Sequence, residues 1–213
     1  MSLWPNHYKS SCSVCICFYL SLYFYSRIYR FTFILAFLNY STADKIEFLQ
    51  DTELRRKILY VFDIPIPSES PEDIAKTFKE NVEEETIDGE KIFFIKENDE
   101  IKGYAVPVGG PGLWGSIEGY IGLSADLSHI LGLDFTNHSE TPGLGGRISE
   151  DEFKEQFRNL DLSQSQDGDY IIYRPAPGGN VDAITGATLT SKSVSDFLNQ
   201  DIYEFIKSKR GDK

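Results

Sequence analysis

The run Asp182-Ala183-Ile184-Thr185-Gly186-Ala187-Thr188-Leu189-Thr190-Ser191 is small, rich in hydroxyls and holds one glycine. Val194, Phe197, Leu198, Ile202, Phe205 and Ile206 follow it at a spacing that places them on one face of a helix. The hydroxyls of Thr188, Thr190 and Ser191 therefore sit at or just before a helix N-terminus. Such an end offers unpaired backbone N–H groups and the positive pole of the macrodipole, which suit a phosphate. The plainer reading of the same residues is an ordinary N-cap, since Ser and Thr lead at that position.

The whole run resembles the flavinylation motif of the FMN-binding domain family, Asp-small-x-Ser/Thr-Gly-Ala-Thr-x-Thr/Ser. Asp182, Thr185, Gly186, Ala187 and Thr188 fill its positions. The resemblance implies that Thr188 carries FMN through a phosphoester bond, that Thr185, Gly186, Ala187, Leu189 and Thr190 contact the cofactor, and that a separate flavin transferase attaches it. Esterification takes the phosphate from near −2 to about −1, a charge the helix N-terminus can hold. Asp182 would repel that phosphate, so it is expected either to be read by the transferase or to order the turn.

A second segment, His138-Ser139-Glu140-Thr141-Pro142-Gly143-Leu144-Gly145, fixes φ at its proline and bares its backbone at the glycines. Alone it reads as a turn between strand and helix. It also matches the family's His-x-Glu-Thr-Pro-Gly-Leu-Gly hallmark, which implies that Glu140, Thr141, Gly143, Leu144 and Gly145 line the isoalloxazine. His138 is a proton relay on one reading and a lone surface histidine on the other.

A third segment, Gly109-Gly110-Pro111-Gly112-Leu113-Trp114-Gly115, reads as a glycine loop with a buried Trp anchor; it lacks the Gly-Lys-Ser/Thr ending of a phosphate loop. It resembles the loop typical of the NqrC-type members of the family, which belong to sodium-translocating NADH:quinone oxidoreductases. The related RnfG-type members, from Rnf electron-transport complexes, usually have a different glycine loop. Phe153-Lys154-Glu155-Gln156-Phe157 resembles an aromatic-Lys-x-Gln-aromatic patch of the NqrC type, with Lys154 either facing the flavin or solvated.

Composition narrows the function. Of 213 residues, 21 are Lys or Arg and 33 are Asp or Glu, for a net charge of −12. Residues 1–43 hold Lys9, Arg27 and Arg30 and no acid, so the remainder carries 18 basic and 33 acidic residues, a net of −15. That body argues against nucleic acid as a partner. It also disfavours the anionic form of a reduced flavin, a modest effect under solvent screening. Cys12, Cys15 and Cys17 lie in the N-terminal stretch, so the body has neither a disulfide nor a thiolate metal site. Their spacing admits a metal site, but small buried hydrophobes are the simpler reading. No carboxylate pair, metal-ligand cluster or nucleophile–base pair stands out, so no catalytic or metal-binding residue is assigned.

These residues need elements to position them. Residues 12–38 are mostly apolar and aromatic and long enough for a span of about 20 residues, although Arg27 and Arg30 interrupt them at a cost of about 2.5–3.5 kcal/mol each near the bilayer centre. A single-pass anchor, an uncleaved signal-like segment and an upstream extension are all open. A helix is expected over Ala43–Phe62, leading from the membrane to the domain. A break follows at 65–71, then a helix from Pro71 to Val82 capped by Ser70. Glu83 to Asp88 reads as a solvated acidic face. Strands follow at 91–96 and 101–108 as a hairpin turning at 97–100, at 117–124, after 127 and at 170–174. A helix is expected over Ser149–Leu160, and the last helix ends on the basic residues 207–213.

The expected fold is α+β: an antiparallel sheet with packed helices, the FMN-binding domain, preceded by an N-terminal membrane anchor. Residues 1–42 form the apolar segment, 43–70 the connecting helix and linker, and 71–213 the FMN-binding domain. By resemblance the protein is a covalent-FMN electron carrier in a membrane NADH:quinone oxidoreductase coupled to Na⁺ transport, held in the inner membrane by a single pass with the flavin domain on the extracytoplasmic, periplasmic side. Its partners would be the other membrane subunits, and the isolated chain is not expected to turn over NADH. The alternatives are an RnfG-type member of an Rnf complex, a free-standing flavin reductase and a non-redox binding module.

Overall fold

The computed structural model describes residues 10–87, 89–97, 100–163, 165 and 168–211, with side chains from residue 19 onward. The side chains of Cys12, Cys15 and Cys17, and parts of the expected turn at 97–100, the acidic stretch at Asp88, the 163–169 linker and the C-terminal basic run, lie outside the described residues. The chain divides into two compact units, residues 1–50 and 51–213.

Helix α1 spans Ser10–Val61, longer than the Ala43–Phe62 helix read from the sequence. Within the first unit it exposes large apolar side chains, among them Tyr19, Phe24, Phe33 and Phe37. Among the described residues, however, no helix is long and apolar enough to cross a membrane. Arg27, Arg30 and the many tyrosines lower the mean hydropathy of residues 19–38, whereas the side chains of residues 12–18 of the expected anchor lie outside the described ones.

The second unit begins on the last turns of α1. Ile58, Leu59 and Val61 are fully buried, so a segment expected only to connect also supplies core. Helix α2, Pro71–Asn81, starts where expected: the Ser70 side chain accepts from the Asp73 N–H, proline leads the first turn, and Glu72 and Asp73 complement the dipole. Six antiparallel strands follow: β1 Val82–Ile87, β2 Glu90–Glu97, β3 Glu100–Pro111, β4 Ser116–Ser124, β5 His129–Asn137 and β6 Leu160–Asp161. They hydrogen-bond in sequence order. The acidic 83–87 run is thus an edge strand, its glutamates exposed and its backbone paired to β2.

Alternation sorts the sheet's side chains onto two faces. Phe93 and Ala105 join Ile58, Leu59, Phe62, Ile74 and Phe78 in one core. Ile92, Val106, Val108, Ile117 and Ile121 join Val194, Leu198, Ile202 and Ile206 of the last helix in the other. The end of α1 comes so close to the first face that a Cβ on Gly122 would lie 2.7 Å from Val61 Cγ1, and one on its cross-strand partner Gly132 2.6 Å from Val61 O.

Two expected elements differ. The 149–160 helix is instead a 3-10 turn at Gly145–Ser149, a single α turn, α3, at Asp151–Lys154, and a second 3-10 turn at Glu155–Phe157. Phe153 and Phe157 still share a face, 5.3 Å apart and edge-on. The chain then leaves the helix, with Asn159 at φ 55°, to lay Leu160 and Asp161 beside β5. The strand expected at 170–174 shrinks to β7, Tyr173–Arg174, parallel to β8, Val181–Asp182. Its first residues are held by side chains: Asn199 Oδ1 accepts from the Tyr170 and Ile171 amides, and Asn180 Oδ1 from the Ile172 amide. Helix α4, Thr188–Arg210, closes the unit with a left-handed Gly211 and basic residues in its last turn.

Leu59→Ala removes a fully buried side chain and is expected to cost about 2–5 kcal/mol. Phe37→Ala, on the exposed surface of the first unit, should stay within about 0.5 kcal/mol. Denaturant unfolding of both variants tests whether the end of α1 belongs to the core.

Candidate functional site

Three connections meet at one end of the sheet. The β3–β4 hairpin closes at residues 112–115, where the Gly112 N–H donates to the Gly115 carbonyl at 2.7 Å. β5 runs alongside β4, with Asn137 opposite Glu118, and so delivers the 138–145 loop to the same end. In that loop the Gly146 N–H donates to Thr141 O at 2.9 Å, and Gly143 turns the chain at φ 74°. Residues 183–187 lead into helix α4, whose first residues meet the other two segments.

Glu140 joins all three. Its Oε1 accepts from the Leu113 and Trp114 amides at 2.7 and 3.1 Å, and its Oε2 from the Thr190 hydroxyl at 2.6 Å. The carboxylate is buried. Burial pushes its pKa up, but the donation from Thr190 and from the Trp114 and Leu113 amides outweighs that and holds it below the ordinary value. The fit admits no further atom: a Cβ on Gly145 would lie 2.5 Å from Glu140 Oε2 and 2.6 Å from Thr190 Oγ1, and one on Gly112 2.6 Å from Glu140 Oε1.

Around this clamp lies a hollow of about 260 Å³, walled by Leu113 and Trp114, by Glu140, Thr141, Leu144 and Gly145, and by the run from Gly186 to Thr190. Three segments distant in sequence are thus brought together. Leu113, Trp114, Leu144 and Leu189 stand exposed at it. Trp114 is 68% exposed, so the expectation of a buried Trp anchor is corrected: its backbone amide is what is anchored.

The start of α4 is not capped. Its N-cap is Ala187, no side chain bonds to the cap amides, and the first turn has no acid. The N-cap reading of the hydroxyls therefore does not hold. Thr190 donates to Glu140, Ser191 accepts from the Ile184 amide at 3.0 Å, and Thr188, the first helical residue, is exposed. Free amides suit this end to an anion, and the carboxylate nearest it, Glu140, has its oxygens already taken by three donors. A phosphate at Thr188 with a flat, largely apolar ring over the exposed leucines and Trp114 fits the residues present.

Other expected site residues lie outside the hollow. Asp182 and Thr185 line an adjacent cleft of about 520 Å³. Gly143 shapes the loop without lining the hollow. Lys154 is neither solvated nor at the hollow: its ammonium is buried, 3.3 Å from Asp134 Oδ2, 3.2 Å from Asp151 Oδ1 and 4.1 Å from the centre of the Tyr60 ring. His138 holds the loop, with Nε2 2.8 Å from Ser149 Oγ and Nδ1 facing the Glu140 amide at 3.3 Å. Gln156 and Arg174, not expected at the site, both bond to Asp182. The signal for Gln156 lies in the patch around Lys154, whose charge is the more obvious feature.

An antiparallel sheet between helices, with a hollow at the uncapped start of its last helix, makes this an α+β domain. Residues 112–202 match the family described as FMN-binding domain, which bears out the resemblance drawn from the motifs. Similar proteins include the G-type subunit of the ion-translocating oxidoreductase complex of Methanosarcina acetivorans, 34% identical over 117 residues, covering 55% of this chain and 58% of that one. The C-type subunit of the Na(+)-translocating NADH-quinone reductase of Vibrio anguillarum is 33% identical over 108 residues, covering 48% and 42%. The chain spans about half the length of these relatives. Among solved structures, NqrC of Shewanella oneidensis superposes with a TM-score of 0.60 at 19% identity, covering 75% of this chain and 98% of that one. The corresponding Na(+)-translocating NADH-quinone reductase protein from Parabacteroides distasonis superposes at 0.61 and 24%, covering 76% and 93%. This likeness establishes the fold.

Glu140→Gln leaves one oxygen and an NH2 group where three donors need acceptors; it is expected to cost about 1–3 kcal/mol. Because the Glu140 pKa is lowered on folding, its contribution is present above the ordinary value of 4.5 and is lost as pH falls toward the folded value. Urea titrations from pH 7 to pH 3 should show the wild type losing part of its stability over the lower pH range, and the variant lacking that part.

Proposed function

We propose that this chain carries FMN covalently on Thr188 and serves as the electron-carrier subunit of a membrane NADH:quinone oxidoreductase coupled to Na⁺ transport. The observation that carries the reading is the convergence of the 112–114, 140–145 and 186–190 segments on one hollow at an uncapped helix start. The relatives named as subunits of oxidoreductase complexes support the assembly. The 34% match to the Methanosarcina protein favours an Rnf-type complex as the second reading, against which the Gly112-Leu113-Trp114 loop speaks.

On this reading the chain's residues bind and orient. The first amides of α4 hold the phosphate, and the exposed side chains of Leu113, Trp114, Leu144 and Leu189 shelter the ring system. Glu140 keeps the walls in register and has both oxygens occupied, so its role is to position rather than to exchange protons. FMN bound there supplies one- and two-electron transfer, chemistry the side chains lack. Attachment needs an activated donor. Thr188 Oγ forms a new bond to phosphorus, a phosphoanhydride P–O bond of a flavin dinucleotide breaks, the mononucleotide leaves and the hydroxyl proton passes to solvent. A flavin transferase supplies the enzyme for that step. We further propose that residues 12–38 hold the protein at the inner membrane with the flavin domain on the periplasmic side; the exposed apolar surface of α1 supports attachment.

Co-expressed with a flavin transferase, the protein is expected to gain the mass of a single FMN, and its denatured band to fluoresce. Thr188→Ala should show neither while unfolding at the same denaturant concentration, because that side chain is exposed. An adduct surviving in Thr188→Ala would refute the attachment point, and a wild-type chain that stays unmodified would leave the non-redox binding module.

A further inference from the structure

We propose that Gln156 and Arg174 are positioning residues for the modification of Thr188, and that Asp182 acts through Arg174 rather than as a direct contact of the modifying enzyme. The proposal rests on the reading of Thr188 as the attachment point.

Gln156 sits in the 3-10 turn between Phe153 and Phe157, both buried, so its backbone is fixed to the core. Its Oε1 accepts from the Asp182 N–H at 2.7 Å, and its Nε2 faces the Asp182 carbonyl at 3.5 Å. A side-chain amide thereby stands beside Asp182 as the peptide of a neighbouring strand would. On the other flank Arg174 pairs with Asp182 in the β7–β8 ladder. Its guanidinium forks, with Nη1 2.9 Å from Asp182 Oδ2 and Nη2 donating to the Asn180 carbonyl at 2.9 Å. This planar two-pronged contact is one a lysine cannot reproduce.

Asp182 is thus held at backbone and side chain at the start of the segment that ends on Thr188. The segment's next tethers are the Ile184 amide on Ser191 Oγ and the Ala187 amide on Ile184 O at 3.0 Å. Between them Ala183, Thr185 and Gly186 are exposed. With so few bonds inside the segment, the fixed point at Asp182 decides where the loop begins. Pairing with Arg174 also offsets a carboxylate charge that would otherwise oppose an incoming flavin phosphate. The Arg174–Asp182 pair is more than half exposed on each side, so its loss should leave overall stability nearly unchanged. Its effect should appear in the modification rate.

The experiment uses the full chain in its unmodified form with purified flavin transferase and flavin adenine dinucleotide as donor, following the mass gain with time. Gln156→Leu and Arg174→Lys are each expected to slow the gain about fivefold, the factor that about 1 kcal/mol of hydrogen bonding carries, with an unchanged unfolding midpoint for Arg174→Lys. Asp182→Asn should slow it similarly, and Arg174→Lys combined with Asp182→Asn should be no slower than either alone. Multiplying rate losses in the double variant would show that Asp182 is read directly and overturn the proposal. Amide exchange over residues 183–188 of the unmodified protein gives a readout that needs no flavin. Faster exchange in Gln156→Leu is expected, and unchanged exchange defeats the positioning role. A wild type that gains no mass while the variants exchange faster would instead defeat the attachment reading.

Discussion

The site depends on one buried carboxylate. Glu140 is out of solvent, and an ionised carboxylate there is costly unless its oxygens find donors. It finds three, from a hairpin tip and from the first turn of the last helix. Charge-assisted hydrogen bonds are stronger than neutral ones, so the cost of burying the charge fixes the spacing of three segments that share no local sequence. Gly112 and Gly145 are consequences of the same constraint, since a methyl at either would touch the carboxylate oxygens.

The sheet's topology makes that meeting possible. A meander brings the β3–β4 tip and the end of β5 to one edge without long crossovers, and the register of Asn137 opposite Glu118 sets the distance between them. Helix α4 packs on one face through Val194, Leu198 and Ile202. The end of α1 and α2 cover the other face, so the sheet is held from both sides while its loop end stays open. A second polar cluster under the first face, where Lys154 meets Asp134 and Tyr60 while Tyr60 donates to Glu155, links α1 to β5 and α3. A buried ammonium needs such partners, and Asp134 supplies them away from the hollow.

Where local chemistry decides the outcome, the sequence was legible. Ser70-Pro71-Glu72-Asp73 starts α2, alternation around Lys91–Lys96 and Ile101–Val108 yields a hairpin, and the apolar periodicity after Thr190 yields α4. The three glycine- and threonine-bearing segments were also recognisable one by one. What escaped were outcomes set by distant partners. The aromatic spacing of Phe153 and Phe157 suits a helix, but the sheet's last pairing at Leu160 takes the chain out of it. The glutamates of β1 look like a solvated loop because the ladder bonds by backbone, which side-chain charge does not report. Trp114 looks like an anchor because large aromatics are usually buried, whereas here the anchor is its amide.

The start of α4 shows the same logic from the opposite direction. Thr188, Thr190 and Ser191 all fall just inside the helix, whereas the cap position is Ala187 and no side chain bonds to the free amides. Replacing a good cap by alanine costs about 0.5–2 kcal/mol, so a sequence with hydroxyls to hand and none used this way has left stability unclaimed at one place. Thr190 is committed to Glu140 and Ser191 to Ile184, and both are buried. Only Thr188 remains exposed, beside amides that lack an acceptor and a surface of uncovered leucines and tryptophan. Locally inconsistent choices of this kind concentrate at functional positions, and an anion with an apolar ring attached would satisfy the amides and the exposed side chains together.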